Sequence, residues 1–70
     1  MIYDGWIIGK KEDREFLEKL GVRIEKEYND RPVIEGCVGW VCMINYEILK
    51  KLDEYWGRFI WSFSKEINEN

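Results

Sequence analysis

Arg58-Phe59-Ile60-Trp61-Ser62-Phe63-Ser64 admits two readings, and the fold follows from the choice between them. Phe59, Trp61 and Phe63 alternate, which is the period of a strand with one buried face. The same stretch also continues a helical stripe, Leu49, Leu52, Trp56, Phe59, Ile60, Phe63 and Ile67, which would make one long amphipathic helix through Gly57. A glycine inside a helix costs about 1 kcal/mol relative to alanine, and aromatic and β-branched residues favour strands. Both considerations select a strand over 58–64. Gly57 then becomes the C-cap of a shorter helix, Tyr46 to Trp56, with Asn45 as its N-cap. Leu49, Leu52 and Trp56, flanked by Ile48 and Tyr55, form the buried stripe of that helix.

Upstream, Val33 to about Met43 is apolar and valine-rich, and reads as a long, largely buried strand in which Gly36 and Gly39 mark a bulge or a close approach. Asn29-Asp30-Arg31-Pro32 is a turn cluster. Before it, Val22 to Tyr28 alternates, with Val22, Ile24 and Tyr28 on one side and Arg23, Glu25 and Glu27 on the other. A two-residue loop at Asp30-Arg31 would set Glu27 beside Ile34 and Arg23 beside Val38. A loop with an odd number of residues instead sets Tyr28 beside Ile34, Ile24 beside Val38 and Val22 beside Trp40, which keeps one face apolar. Gly21 closes a helix over Lys10 to Leu20 whose apolar stripe is Phe16, Leu17 and Leu20, with Lys11–Glu15, Arg14–Glu18 and Glu15–Lys19 as surface pairs. Ile2 to Ile8 is the first strand, closed by Gly9.

The order strand, helix, strand, strand, helix, strand is that of an α+β, ferredoxin-like βαββαβ fold: a four-stranded antiparallel sheet with two helices on one face. The alternative is β-α-β-β with one long C-terminal helix. Seventy residues make one domain, taken as 1–64, followed by a polar C-terminal tail at 65–70.

Composition narrows the chemistry. The chain has no histidine, which removes the commonest proton carrier near neutral pH and the commonest metal ligand. Ser62 and Ser64 are the only serines and have no imidazole base, and a cysteine–histidine pair cannot form. Two cysteines without histidine are too few for a zinc site of four cysteines, or of two cysteines and two histidines. No glycine-rich phosphate loop is present, since Gly36 and Gly39 precede no lysine-serine pair. The carboxylates of Glu12, Glu15 and Glu18 fall on the solvated face of a helix. The expectation is therefore a protein without catalytic residues, metal or cofactor. Cys37 and Cys42 lie on opposite faces of a continuous strand and are expected as free thiols of a reducing, cytoplasmic compartment. No signal-peptide pattern opens the sequence, and no apolar run approaches the ~20 residues of a membrane span. Alanine, threonine and glutamine are absent, a usage that suggests an AT-rich coding sequence, as in low-GC bacteria and their viruses.

Binding is the remaining class. Four tryptophans, four tyrosines and three phenylalanines are more ring area than one helix-covered sheet face of so small a domain can hide. Some are expected on the open face, Trp6 and Trp40 among them, or Tyr3 and Ile7 beside Gly5 and Gly9. Glu25, Glu27 and Glu35, with Asp30 at the turn, form an acidic patch, Glu27 opposite Glu35 in the odd-loop register. A patch that tolerates such repulsion suits a basic partner surface, although strand edges also carry charge merely to deter aggregation. The partner-binding candidates are thus Trp6, Trp40, Glu25, Glu27, Asp30 and Glu35. The reading is a small acidic protein-binding module, a regulator or inhibitor. Its partner would be another protein, or itself as a homodimer whose open faces pack. Gly39-Trp40-Val41-Cys42-Met43 loosely resembles the second half of the RNA-recognition signature, which would make Trp40 a base-stacking platform of an RNA- or single-strand-binding domain; Trp40 packed under a helix is the favoured alternative. The first half fails, and a net charge of −3 disfavours nucleic acid and an anionic membrane alike.

Overall fold

The computed structural model describes residues 2–30 and 34–65. The elements run β1 (Ile2–Lys10), a 3-10 turn (Lys11–Asp13), α1 (Arg14–Leu20), β2 (Arg23–Tyr28), β3 (Cys37–Asn45), α2 (Tyr46–Asp53) and β4 (Ile60–Lys65). The fold is α+β. One antiparallel four-stranded sheet, in the order β2-β3-β1-β4, carries the two helices. The stretch that opened the question is a strand: β4 pairs with β1, Gly5 opposite Phe63 and Ile7 opposite Trp61.

Parity decides which side each residue takes. Pairing of β1 with β3 sets Tyr3 opposite Ile44, Gly5 opposite Cys42, Ile7 opposite Trp40 and Gly9 opposite Val38. These form the covered face. Ile7, Val38, Trp40, Cys42 and Ile44 are buried in one core with Leu17 of α1, Ile48 and Leu52 of α2, Val22 and Phe59. The expectation that Tyr3 and Ile7 take the open face beside the two glycines is therefore reversed. The glycines lie where something must pass close above them: a Cβ on Gly9 would meet the Phe59 ring, and one on Gly5 would meet the β4 backbone.

The helix termini follow their local chemistry. The Asn45 side chain accepts a hydrogen bond from the Ile48 amide at 2.9 Å and so caps α2. Gly21 ends α1 at φ 107°, a left-handed conformation that only glycine adopts cheaply. α2 stops earlier than expected, at Asp53 with Glu54 as its C-cap, so Gly57 is not the cap. The turns that follow send Tyr55 inward, edge-on to Phe16 at 5.1 Å, and leave Trp56 79% exposed instead of in the buried stripe. Arg58 secures this region. Its guanidinium donates to both carboxylate oxygens of Asp13, at 2.9 and 3.3 Å, while lying 4.0 Å from the centre of the Phe16 ring.

The hairpin register differs from expectation. Tyr28 pairs with Gly39, Glu27 with Trp40 and Ile24 with Cys42, and β3 begins at Cys37 and not near Val33. Ile34 and Gly36 form the turn that enters β3, where the Cys37 amide donates to the Ile34 carbonyl at 3.0 Å, and residues 31–33 of the expected turn and strand lie outside the described residues. The pairing also shifts between Ile24 and Lys26, a β-bulge at Glu25. One extra residue reverses the alternation. Ile24 therefore faces the core, while Lys26 and Tyr28 fall beside Val41 and Gly39 on the open face. The bulge sits in β2, and the expected irregularity at the β3 glycines is absent from the β1–β3 pairing. Residues 66–70 of the expected polar tail are outside the described residues.

Candidate functional site

The open face is built from the other parity of the same strands. Across the sheet, Tyr28, Gly39, Ile8 and Ile60 make one row, and Lys26, Val41, Trp6 and Ser62 the next. Trp6 stands at the centre and is 42% exposed; Ile60, beside Ile8 at the edge, is 57% exposed. Between β1 and the end of β2 runs a shallow concavity of about 580 Å3, walled by Trp6, Ile8, Tyr28 and Asp30 over Gly39, Trp40 and Val41 of β3. Lys26 folds its ammonium over the Tyr28 ring at 4.9 Å, so a cation already lies against the aromatic wall. The sheet thus offers an apolar centre of flat side chains with a carboxylate at its rim.

The sequence candidates divide into two groups. Trp6 and Asp30 line the same concavity. Trp40 and Glu27 are joined to each other on the opposite face: the fully buried Trp40 indole donates from Nε1 to Glu27 Oε1 at 2.8 Å, and Arg14 donates to the same oxygen at 3.1 Å. A buried indole N–H needs an acceptor, and Glu27 supplies it from the neighbouring strand. Trp40 is therefore a core residue, and the base-stacking platform argued from its motif faces the helices. Glu27 stands opposite Trp40, not opposite Glu35, so the supposed repulsion across the hairpin is replaced by a hydrogen bond. Glu25 occupies the bulge, exposed, with Arg23 at 3.0 Å. Glu35 is exposed in the turn before Gly36. The acidic patch is thereby dispersed, with Asp30 left at the groove.

Tyr28, Ile8, Val41 and Lys26 belong to the face and are not among the partner-binding candidates read from the sequence. For Ile8 the signal is parity: in a strand it shares its face with Trp6, while Tyr3, Gly5, Ile7 and Gly9 take the other. For Tyr28 no such signal existed, because its side depends on the bulge.

The hydrogen bond from Trp40, with Arg14 adding to it, holds the Glu27 carboxyl below the usual glutamate range. Arg58 does the same for Asp13. Above the ordinary carboxylate range both groups are ionised in the folded and the unfolded chain, and their stabilisation is complete. As pH falls through that range the unfolded chain takes up protons first, and the contribution is lost down to the lowered folded values. Urea midpoints are therefore expected to hold from pH 7 to about 5 and to fall below it, with Glu27→Gln and Asp13→Asn together flattening the drop. Cys42 is the opposite case. Burial among apolar side chains pushes its thiol up to about 12, and both cysteines are free. A thiol kept protonated is a poor nucleophile, so Cys42 serves as a small apolar core residue.

No family profile, curated protein or solved structure matches the chain. No helix among the described residues is long and apolar enough to cross a membrane.

Proposed function

We propose that this protein is a non-enzymatic protein-binding module, a regulator or inhibitor, that grips a partner with the open face of its sheet. The observation that carries this reading is Trp6. A tryptophan at the middle of a central strand, flanked by Ile8, Val41 and Tyr28 and still 42% exposed, leaves apolar area in water. Such area gains about 25 cal/mol per Å2 when another surface covers it, and contiguous apolar patches of this kind mark interfaces. Large, flat, partly desolvated aromatics supply most of the energy at such contacts. The partner is one with a basic rim: Asp30 stands at the groove, exposed Asp4 lies further along the same face, and the chain carries a net charge of −3. A ferredoxin-like reading of the topology belongs to the same proposal. It is supported by β3 lying between β1 and β2, and β1 between β3 and β4, with a helix in each crossover.

The experiment is a comparison of Trp6→Ser with Trp56→Ser, a second exposed tryptophan away from the sheet. Partners captured by the wild-type chain from its host should be lost with Trp6→Ser and kept with Trp56→Ser, and association should slow as salt rises. Equal capture by both variants overturns the open-face reading. Oligonucleotides titrated against tryptophan fluorescence provide the other arm, where saturable quenching that Trp6→Ser abolishes would replace a protein partner with a nucleic acid.

A further inference from the structure

The two edges of the sheet are treated differently by the sequence. An edge strand presents unpaired N–H and C=O groups, and soluble proteins blunt it with charge, proline or a bulge. The β2 edge has two of these: Arg23, Glu25, Lys26 and Glu27 are charged, and the bulge falls at Glu25. The β4 edge has none from Ile60 to Ser64. In a chain that is 36% charged, the run Phe59 to Ser64 is the longest without a charge outside the segment of β3. Among the described residues, no strand lies on the outer side of β4. Trp61 and Phe63, on its helix side, are only partly buried.

We infer that the β4 edge pairs with the β4 edge of a second copy of this chain, antiparallel across a two-fold axis, to give one continuous eight-stranded sheet. The occupant follows from charge. Copies of an acidic chain repel each other, and β4 is the edge along which two of them meet without like charges opposite. Pairing also supplies the backbone partners that the edge lacks among the described residues and adds burial to a domain of a size that is short of it.

The register follows from the backbone. A Cβ on Gly5 would meet the Ser62 carbonyl oxygen, so that oxygen points inward to β1. In an antiparallel ladder the peptide groups of alternate residues point to opposite sides, and Trp61 and Phe63 then present theirs outward. Joined to each other across the axis, they centre the pair on Ser62, with Trp61 beside Phe63 of the partner subunit in both halves. Antiparallel neighbours share a face, so both Trp6 grooves open to the same side. Trp6 pairs with Ser62, which places the two indoles in one row, three strand spacings or about 14 Å apart. The edge pairing stands independently of the open-face grip. If both hold, the dimer carries two grips side by side.

Sedimentation of the full chain over a range of concentrations, with Ser62→Lys and Trp6→Ser alongside, tests the pairing. Ser62 is exposed, so the variant leaves the core intact, which circular dichroism verifies. The expected result is a dimer whose association is weakened about fivefold or more by Ser62→Lys, since two lysines then face each other, and is unchanged by Trp6→Ser. Ser62→Cys in a Cys37→Ser background gives a second measure, a disulfide dimer on mild oxidation that retains the wild-type spectrum. A monomer at every concentration overturns edge pairing and leaves the open-face reading to its own test. A dimer insensitive to Ser62→Lys, or one lost with Trp6→Ser, also overturns it.

Discussion

Trp40→Ala is expected to remove most of the stability of the fold. Trp40 is fully buried, opposite Ile7 on one side and Glu27 on the other, at the middle of the covered face. Truncating a buried tryptophan to alanine costs about 3–5 kcal/mol, from lost transfer energy and from the cavity left behind. A domain of this length has in total about 4–10 kcal/mol to lose. The variant should therefore be partly unfolded at room temperature, as read by urea denaturation followed by circular dichroism. Trp40→Phe separates the two roles of the residue. It retains most of the apolar ring but not the N–H, so Glu27 keeps Arg14 as its partner and loses the indole. A smaller loss is expected, together with a Glu27 carboxyl that titrates closer to the ordinary glutamate range. A wild-type midpoint for Trp40→Ala would mean that the covered face is wrongly assigned.

Gly5→Ala is expected to be nearly as damaging, although it adds a single methyl group. The new Cβ would meet the Ser62 carbonyl oxygen, with the Phe63 Cα and ring carbon each at 2.7 Å. Two of those atoms are backbone of a paired strand and cannot rotate aside. Either β4 moves off β1 or the strand pair distorts, at a cost on the order of 3 kcal/mol. Amide exchange should rise along β4 ahead of β3, because β4 is held by its pairing with β1. Gly57→Ala is the control: among the described residues nothing lies within 4 Å of its added Cβ and its φ is not positive, so the same substitution there should leave the midpoint unchanged. Equal midpoints for the two variants would refute the close approach of β4 over Gly5.

Both expectations rest on face assignments, and these were legible to different degrees. The alternation of Phe59, Trp61 and Phe63 against a glycine in helical register was enough to select β4, because period and propensity agreed there. Asn45 and Gly21 announced their caps by chemistry that acts within a few residues. Trp56 did not announce its exposure. Its position on the helical stripe was sound, but α2 ended at Asp53, where Tyr55 found Phe16 and Arg58 found Asp13. Those partners lie far away in sequence, and local propensity has no access to them.

The candidate site divides in the same way. The surplus of rings over interior is a matter of composition, and exposed Trp6 and Trp56 express it. Which rings stay outside is a matter of register. Trp6 and Trp40 looked equivalent as residues on apolar strands, yet antiparallel pairing of β1 with β3 put them on opposite faces. Glu27 read as part of an acidic patch and became the acceptor for a buried indole.

By itself the sequence determined the class of fold, the order of the elements, the caps at Asn45 and Gly21 and the excess of aromatic area, since each depends on periodicity, local hydrogen bonding or composition. Only the tertiary structure decided the hairpin register, the bulge at Glu25 and the resulting place of Tyr28 on the same face and groove as Trp6. A single extra residue in one strand reverses every side chain beyond it, and what fixes that residue is pairing with a strand whose own position depends on β1 and the core.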